Sequence, residues 1–428
     1  MKNLCFYFEI HQPMRLKRYR FFDIEQDHYY YDDFQNEERI RMLAEQSFLP
    51  ANRTLLEIIQ NSNGKFRCAF SFSGIVLEQL EQYAPEVIDS FEELSKTGCV
   101  EFMAETYAHS LSSVYDIHEF EQQVALQTEK IESLFGKKPT VFRNSELIYS
   151  DEIGEKIYNM GYKTILIDEV SHVLGWKSPN FVYHHPSLPK LKLLVRNFKL
   201  SDDIGFHFSD RSWSDFPLTA DKFISWIKNM PEDQPVVNIW LGYEAFGLFQ
   251  RPESGIFEFL KAIPFFALQN NIGFLMPSEV AKKIEAVDIL SSPEPISWSG
   301  IEKDISLWNG NDLQQEALEK LYAVGERVRL CTDRPLRHDW LMLQSSDHFR
   351  YMSHKDAFGT YYESPYDAFM NYMNILADFL LRVDEQYPTT IDNEELNALL
   401  NTIYELEKEV ERLENELKKL RSRKKTES

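Results

Sequence analysis

The segment TVFRNSELIYS, residues 140–150, decides how the fold of this chain is interpreted. Val141 and Phe142 end a short apolar run that Pro139 introduces, and this pattern predicts a buried strand. Polar residues follow at once. The helical pattern DEIGEKIYNM then begins at Asp151 and is closed by Gly161. The segment is therefore interpreted as the carboxyl end of a strand that leads through a polar loop into a helix.

Glu146 lies in this polar loop, beside Arg143, Asn144 and Ser145. A carboxylate flanked by an arginine and hydrogen-bonding side chains, just past a buried strand, is a candidate nucleophile or general acid. The alternative is a structural role, in which Glu146 only pairs with Arg143 or caps a turn. The other strand endings of the chain bear on the choice between a catalytic and a structural role for Glu146.

The same pattern of an apolar run with a polar ending occurs eight times, and seven of the runs are followed by a helical stretch. The runs are CFYFEI before His11, FRCAFSF before Ser73, VEFMA before Glu105, VF before Arg143, TILI before Asp168, KLLV before Arg196, VVNIWL before Gly242, and GFLM before Pro277. Alternating strands and helices predict a parallel sheet covered on both faces. Eight units in about 280 residues favour a closed barrel, whose strand ends would bring the polar residues into one cleft.

The composition narrows the classes of function. The formal net charge of −22 argues against nucleic acids and anionic membranes as partners. The four cysteines show no CxxC spacing, so neither a disulfide framework nor a thiolate metal site is expected. No secretory signal and no membrane-spanning segment is evident, which predicts a cytoplasmic protein.

Metal and cofactor sites are not predicted. His184 and His185 are adjacent, but no third ligand stands at a usual spacing from them. We expect neither a metal site nor a cofactor.

The chain is predicted to have three parts, 1–290, 291–388 and 389–428. The first is the barrel, and the second, which begins with a Pro- and Trp-containing junction, is a smaller helical unit. The third carries apolar residues at alternating spacings of three and four, the signature of a coiled coil. These are Leu396, Leu399, Ile403, Leu406, Val410, Leu413, Leu417 and Leu420.

This tail predicts a possible homo-oligomer, and its pattern favours two strands. Glu409 and Glu414, however, would face each other as like charges across a parallel pair. An antiparallel pair and docking on the chain's own body therefore remain alternatives.

Several motifs make the chain resemble the glycoside hydrolase family 57 amylases and amylopullulanases over nearly its whole length, the tail excepted. The motifs are FEIHQPMRL (8–16), GCVEFMAETYAHSL (98–111), FRNSELIYS (142–150), KLSDDIGFHFSDRSW (199–213), LGYEAFGLFQ (241–250) and LQSSDHFRYM (343–352). The resemblance implies an α/β fold, an incomplete TIM-like (β/α)7 barrel followed by a helical domain. It also implies action on α-glucans, such as starch, glycogen or maltooligosaccharides, with retention of configuration. One of the eight runs is then an extra strand, and GFLM is the expected one.

The resemblance assigns roles to residues at matching motif positions. Glu146 matches the family's catalytic nucleophile. His11 and Glu105 match sugar-contacting residues, and Asp347 matches the substrate-facing aspartate of the helical domain. The same motifs place His109, Trp213 and His348 among the expected substrate-binding residues.

One position departs from the family pattern. Where the family carries its general acid/base aspartate, this chain has Gly242. Retaining hydrolysis needs two carboxyl groups, one to attack carbon and one to protonate the leaving oxygen. Glycine supplies none, so we expect impaired catalysis, unless Glu244, two residues on, acts as a stand-in.

The sequence is therefore consistent with two classes of function. The first is an α-glucan hydrolase or transferase, impaired at its acid position. The second is a catalytically silent, amylase-like protein that binds α-glucan. A deacetylase on a related barrel is disfavoured because no aspartate–histidine metal set is visible.

Overall fold

The predicted barrel is present in the computed structural model, which describes residues 1–355, 361–387, 399–410, 412 and 413. The strands in these residues are β1 (Asn3–Ile10), β2 (Cys68–Phe72), β3 (Val100–Met103), β4 (Phe142–Arg143), β5 (Thr164–Ile167), β6 (Val182–His184), β7 (Lys192–Val195), β8 (Val236–Gly242), β9 (Gly273–Phe274) and β10 (Asp288–Ile289).

Helices follow most of the strands and then form the helical part of the chain, which begins at residue 306. Those of the barrel part are α1 (Asp33–Leu43), α2 (Leu49–Asn61), α3 (Gly74–Tyr83), α4 (Pro85–Lys96), α5 (Ser112–Tyr115), α6 (Ile117–Phe135), α7 (Asp151–Asn159), α8 (Ser171–Leu174), α9 (Phe198–Gly205), α10 (Ala220–Lys228), α11 (Ile256–Gln269) and α12 (Pro277–Lys283). Those of the helical part are α13 (Ser306–Asn309), α14 (Asp312–Ala323), α15 (Gly325–Leu330), α16 (Arg334–Leu343), α17 (Ser346–Arg350) and α18 (Pro365–Gln386).

Seven parallel strands form a ring within the described residues. Strands β3, β2, β1 and β8 pair in that order, and β7, β5 and β4 form a second parallel set. Single parallel bridges, Ala104 to Phe142 and Arg196 to Asn238, join the two sets at both ends. The (β/α)7 prediction is confirmed. The extra run GFLM supplies β9, which pairs only with the start of β1, off this ring.

The alternation of side chains along each strand determines what points into the ring. One apolar cluster combines residues from every ring strand or its edge: Cys5, Tyr7, Ala69, Met103, Val141, Leu166, Leu194, Val236 and Trp240. Successive side chains of a strand point to opposite faces, so residues two further along point the same way. The residues two positions after the last cluster member on four of the strands therefore also point into the ring. These are Glu9, Glu105, Arg143 and Arg196. The barrel thus directs these polar groups to one end of its interior.

The other strand faces pack under the helices. Phe6, Phe8, Phe70 and Phe102 lie fully or almost fully buried in a cluster with α1 to α4, α10 and α11. Burying both strand faces is what a parallel sheet requires, and many of the 31 phenylalanines of the sequence lie in this cluster.

The insertion after β1, residues 11–32, ties the barrel to the helical part of the chain. Tyr19 donates its backbone N–H to Asn371 on α18 over 2.7 Å, and the Tyr30 hydroxyl donates to Asp378 over 2.6 Å. Arg382 in turn donates to the Tyr30 hydroxyl oxygen over 2.9 Å. This insertion, which is rich in acidic residues and tyrosine, therefore holds α18 against the barrel.

The predicted heptad tail is described only in part. Residues 399–410 are helical, and Tyr404 accepts a hydrogen bond from Gln122 of α6 over 3.1 Å. The seam residues described are all exposed: Leu399, Ile403, Leu406, Val410 and Leu413. Leu396, Leu417 and Leu420 lie outside the described residues. Among the residues described, no helix combines the length and apolarity that a bilayer crossing needs.

A first test of the packing beside the barrel mouth uses Gly74, at the start of α3. A Cβ atom at Gly74 would lie 2.3 Å from the ring carbons of Tyr107, a contact that forces the backbone or ring to move. We expect Gly74→Ala to lower the free energy of unfolding by about 1–3 kcal/mol, measured by urea denaturation. The matched control is Gly205→Ala, where the new atom would meet only the flexible end of Leu241 at 3.3 Å. Equal stability losses in the two variants would contradict this packing.

Candidate active site

A cavity of about 700 Å³ lies at the end of the ring to which the polar groups point. It brings together most of the residues singled out in the sequence. Those that line it are His11, His109, Glu146, Gly242, Glu244 and Asp347, together with Glu9. The sequence motifs, which are far apart in the chain, thus converge on one site.

Glu146 is held in a strained backbone conformation. It lies in a single 3-10 turn, Ser145–Leu147, directly after β4, with φ of 55° at Glu146 and 52° at Leu147. Left-handed backbone is unfavourable for residues other than glycine, and such strain persists only where the surroundings hold it. Here Leu147 is fully buried, and the Glu146 carbonyl accepts the backbone N–H of Trp298 over 3.3 Å.

Both carboxylate oxygens of Glu146 have hydrogen-bond donors. The indole Nε1 of Trp298 donates to Oε2 over 2.6 Å, and the hydroxyl of Ser346 donates to Oε1 over 3.1 Å. Neither donor belongs to the ring strands: Trp298 follows the barrel, and Ser346 begins α17. The rotation of the carboxylate is therefore set from outside the barrel.

His109 sits among three carboxylates and is 2% exposed. Its Nε2 lies 3.5 Å from an oxygen of Glu9 and 3.5 Å from Oε1 of Glu146, and its Nδ1 lies 3.7 Å from Glu105. Burial opposes protonation of His109, but the contacts with Glu105 and Glu146 and the charge of Glu9 raise its pKa to about 10. The ring is thus an imidazolium at neutral pH.

Glu146 is correspondingly held as a carboxylate. Burial acts to raise the pKa of Glu146, but the contact with His109 and its charge, with Arg350 adding to them, lower it to about 2. A buried carboxylate that is ionised at neutral pH and faces a cavity is a group suited to nucleophilic attack.

Arg143 pairs with the two other acidic side chains. Its Nη1 donates to Glu105 over 2.8 Å, and its Nη2 forms an ion pair with Glu9 over 2.6 Å. Arg143 and Glu105 are both fully buried, beneath the cavity rather than on its wall. The predicted sugar contact of Glu105 thus has no surface on this cavity, and Glu105 instead supports Arg143 and His109.

The same residues offer a geometric possibility for a metal ion. One ligand atom each from Glu9, Glu105 and His109 lies within 4.8 Å of the others. Arg143 already pairs with both Glu9 and Glu105, so a cation bound here would share these carboxylates with the guanidinium. His185, raised as a candidate in the sequence, has both ring nitrogens in hydrogen bonds, at 2.9 Å and 3.1 Å, to backbone groups.

His11 connects the barrel to the helical part through Asp347. Its Nε2 lies 2.8 Å from Oδ2 of Asp347, and its Nδ1 lies 2.7 Å from the Ser73 hydroxyl. Burial would raise the pKa of Asp347, but the charge and hydrogen bond of His11 hold it well below the usual range. The His11 ring also stacks on His109, with 4.0 Å between ring centroids.

Gly242 ends β8, and Glu244 lies in the 3-10 turn that follows, Tyr243–Ala245. A Cβ atom at Gly242 would lie 3.3 Å from Oε2 and 3.4 Å from Cδ of Glu244. The Glu244 carboxyl therefore occupies the space beside the missing side chain. Burial, with further contributions from the charges of Glu9 and Asp347, raises the pKa of Glu244 to about 7.

Two predicted substrate-binding residues are not brought to the cavity. Trp213 packs against Trp226, with 6.3 Å between centroids, and against His207. His348 is 3% exposed and lies beside Tyr372, and burial lowers its pKa to about 4. Neither side chain lines the cavity.

Other cavity residues were not selected from the sequence. One of them, Trp298 in the predicted junction, contacts the candidate nucleophile Glu146 itself. Trp240 and Arg196 also line the wall, with the guanidinium 4.9 Å from the indole ring centroid. Strand parity identifies both residues once the strands are assigned. For Trp298 the only sequence signal was a tryptophan in a Ser- and Pro-rich stretch.

Comparisons with known proteins agree with this architecture. A sequence model described as Glycosyl hydrolase family 57 matches residues 5–293. A Methanocaldococcus jannaschii protein named "Putative alpha-amylase" is 35% identical over 406 residues, covering 89% of this chain and 85% of that protein.

Two solved structures are similar in fold. The 4-alpha-glucanotransferase from Thermococcus litoralis superposes with a TM-score of 0.66 at 16% identity over 87% of this chain, which spans only 59% of that enzyme. A branching enzyme of the family from Thermococcus kodakaraensis gives 0.66 at 13% identity, with 90% and 94% of the two chains covered.

The His109 cluster predicts how stability depends on pH. The folded-state pKa of His109, about 10, is above that of an unfolded histidine, about 6.5. Between these values only the folded state retains the proton, so the stabilisation is complete below about pH 6.5 and is lost as the pH rises towards 10. We expect the free energy of unfolding to fall by about 1 kcal/mol per pH unit between pH 7 and 9, measured by denaturant titration. His109→Gln should flatten this slope. An unchanged slope in the variant would mean that His109 is neutral in the folded protein.

Proposed function

This chain belongs to glycosyl hydrolase family 57, and we propose that it hydrolyses or transfers α-glucans with retention of configuration. In this proposal Glu146 is the nucleophile and Glu244 is the general acid and base. The names of the relatives, an α-amylase, a glucanotransferase and a branching enzyme, support an α-glucan as the substrate.

The opposite pKa shifts of the two carboxyl groups carry the proposal. Both line the same cavity, yet the pKa of Glu146 is lowered to about 2 and that of Glu244 is raised to about 7. Two carboxyl groups whose surroundings separate their pKa values in this way are suited to the nucleophile and acid roles of a glycosidase.

The reaction follows from these protonation states. Glu146 attacks the anomeric carbon, the glycosidic C–O bond breaks, and the proton of Glu244 passes to the leaving oxygen. The resulting glycosyl ester is then attacked by water, or by a sugar hydroxyl in transfer, while the Glu244 carboxylate takes the proton of the attacking group. Each turnover returns Glu146 to the carboxylate and Glu244 to the acid.

The remaining polar groups are placed to hold a sugar. The carboxylate of Asp347 is fixed by His11 and by the Ser345 hydroxyl, at 2.8 Å and 2.9 Å, and it lines the cavity. Such a fixed acceptor suits hydrogen bonding to sugar hydroxyls. Trp240 supplies an apolar ring on the same wall.

The second candidate function is a catalytically silent α-glucan-binding protein. The observation that favours it is Gly242, which removes the carboxylate that the family carries at that position. This alternative requires that Glu244 does not reach the leaving oxygen of a bound glucan.

The two candidates differ in the expected behaviour of Glu244→Gln. If Glu244 is the acid, maltooligosaccharide turnover should fall by about 10²–10⁴-fold, while an α-glucosyl fluoride, which needs little protonation, should still glycosylate Glu146. Mass spectrometry of the adduct and rate measurements check both results.

Wild-type activity should also decline above about pH 7, as Glu244 loses its proton.

Gly242→Asp provides the counter-test. Its carboxylate would crowd Glu244, 3.3 Å from the new Cβ, so an enzyme that uses Glu244 should lose activity. A gain of activity from Gly242→Asp in an otherwise inactive wild-type protein would favour the silent protein, and would show that the restored aspartate supplies the acid.

We also propose that the heptad tail mediates self-association. The described part of its helix contacts the body through Tyr404 and leaves the seam residues exposed. A seam of regularly spaced apolar side chains is buried most simply against a second copy.

Truncation after residue 388 should lower the oligomeric state without unfolding the barrel, as measured by multi-angle light scattering and circular dichroism. Leu406→Glu, on the seam, should have the same effect, and Lys408→Gln, off the seam, should not. A monomeric full-length protein would exclude the second copy as the partner of the tail.

A further inference from the structure

Residues 296–304 form part of the cavity wall, although the sequence marked them as a junction. Trp298, Ser299, Gly300, Ile301, Glu302 and Asp304 all line the cavity. The segment begins with an antiparallel bridge between Ile296 and Tyr149, directly downstream of the Glu146 turn. This bridge attaches the start of the segment to the loop that carries the nucleophile.

A second set of contacts anchors the far end of the segment. Lys303 donates its ammonium group to Asp168, just beyond β5, over 3.1 Å, and the Ser297 hydroxyl donates to the carbonyl of Asp304 over 2.6 Å. Asp168 itself is fully buried beside Arg196, whose Nη1 donates to it over 3.1 Å. The segment is thus fastened at one end to the Glu146 loop and at the other to the barrel.

Trp298 lies between these two anchors. Its indole ring packs against Trp240 of β8, with 5.2 Å between centroids, and its N–H donates to Glu146 over 2.6 Å. Residues 5–293 match the family, so Trp298 lies just beyond the matched region. The family match alone does not point to this residue.

We propose that Trp298 is a positioning residue for the nucleophile, and that its indole N–H fixes the orientation of the Glu146 carboxylate and favours its ionised form. The inference rests on the proposed function, because it takes Glu146 to be the nucleophile. It goes further in assigning a role in that site to a residue outside the barrel and outside the family match.

The chemistry of the indole suits this task. Its N–H is a donor only, so it stabilises a carboxylate and offers nothing to a carboxylic acid proton. With Ser346 on the other oxygen, the carboxylate has a donor at each end and one preferred rotation. Packing on Trp240 limits the movement of the donor itself.

Other charges also act on Glu146, and a test must separate them from the indole. His109 and Glu9 face it from the barrel, and Asp347 and Arg350 face it from α17. Arg143 lies beneath it. Replacing only the indole N–H leaves all five of these groups in place.

Trp298→Phe removes the N–H and keeps an aromatic ring against Trp240. We expect kcat on an α-glucosyl fluoride to fall about 10- to 100-fold with KM within about threefold, and the acidic limb of the pH profile to move up by about one pH unit. Trp298→His, which retains an N–H, should recover part of both effects. Trp226→Phe, a distant tryptophan on α10, is the matched control and should change neither.

A second measurement needs no activity. A water-soluble carbodiimide with an amine labels protonated carboxyl groups, and peptide mass spectrometry can follow labelling of Glu146 against pH in the ligand-free protein. The midpoint should rise by about one pH unit in Trp298→Phe. Inactivity of the wild type would overturn the proposed function, while this midpoint would still test Trp298. If a folded Trp298→Phe loses activity with an unchanged pH limb and labelling midpoint, the residue only supports the wall, and the positioning role is wrong.

Discussion

The buried imidazolium of His109 is the interaction on which the rest of the site depends. Three carboxylates converge on this ring at 3.5–3.7 Å, and without positive charge there they would repel one another in a medium of low dielectric constant. Arg143 supplies a second buried cation beneath them. Together the two cations let Glu146 remain ionised in a buried position, which a nucleophile requires.

The same electrostatic arrangement explains why Glu244 differs from Glu146. Arg39 is the one cation among the main influences on Glu244. Burial and the charges of Glu9 and Asp347 raise its pKa, and only Arg39 opposes them with a charge. Two glutamates on one cavity wall thus differ in protonation because one contacts His109 and the other does not. The separation is a property of the layout of the surrounding charges.

Much of the fold could be predicted from the sequence, because strand parity and apolar runs are local properties. The positions of the strands follow from the apolar runs, which by themselves predicted eight units. The count of seven, with GFLM as the extra run, came from the family resemblance. The inward direction of Glu9, Glu105 and Arg143 follows from the period of two once the strands are assigned. The convergence of His11, Glu146 and Asp347 followed from the motifs. Whether Glu244 serves where Gly242 has no side chain stays a prediction.

What the sequence could not give depends on contacts between distant residues. The space beside Gly242 is filled because the turn after β8 brings Glu244 back, a matter of turn geometry and side-chain torsion rather than composition. Trp298 was placed in a junction because Ser and Pro around it indicate a loop, and a loop's path over a barrel cannot be read locally. Trp213 and His348 stand in matching motifs but do not line the cavity, since a motif fixes the backbone position more firmly than the direction of a side chain.

The site also depends on the packing of the helical part against the barrel. Ser346 and Asp347 of α17 contact Glu146 and His11, and Trp298 reaches Glu146 from the segment between the two parts. The insertion after β1 holds α18 from the other side through Tyr30 and Asp378. The barrel therefore supplies His109 and Arg143, while the two hydrogen-bond donors to the nucleophile and the charge of Arg350 come from elsewhere. A movement that separated the two parts would leave the contact with His109 but would remove the Ser346 donor and the favourable charge of Arg350. Docking of the helical part therefore acts on both the orientation of the nucleophile and its charge.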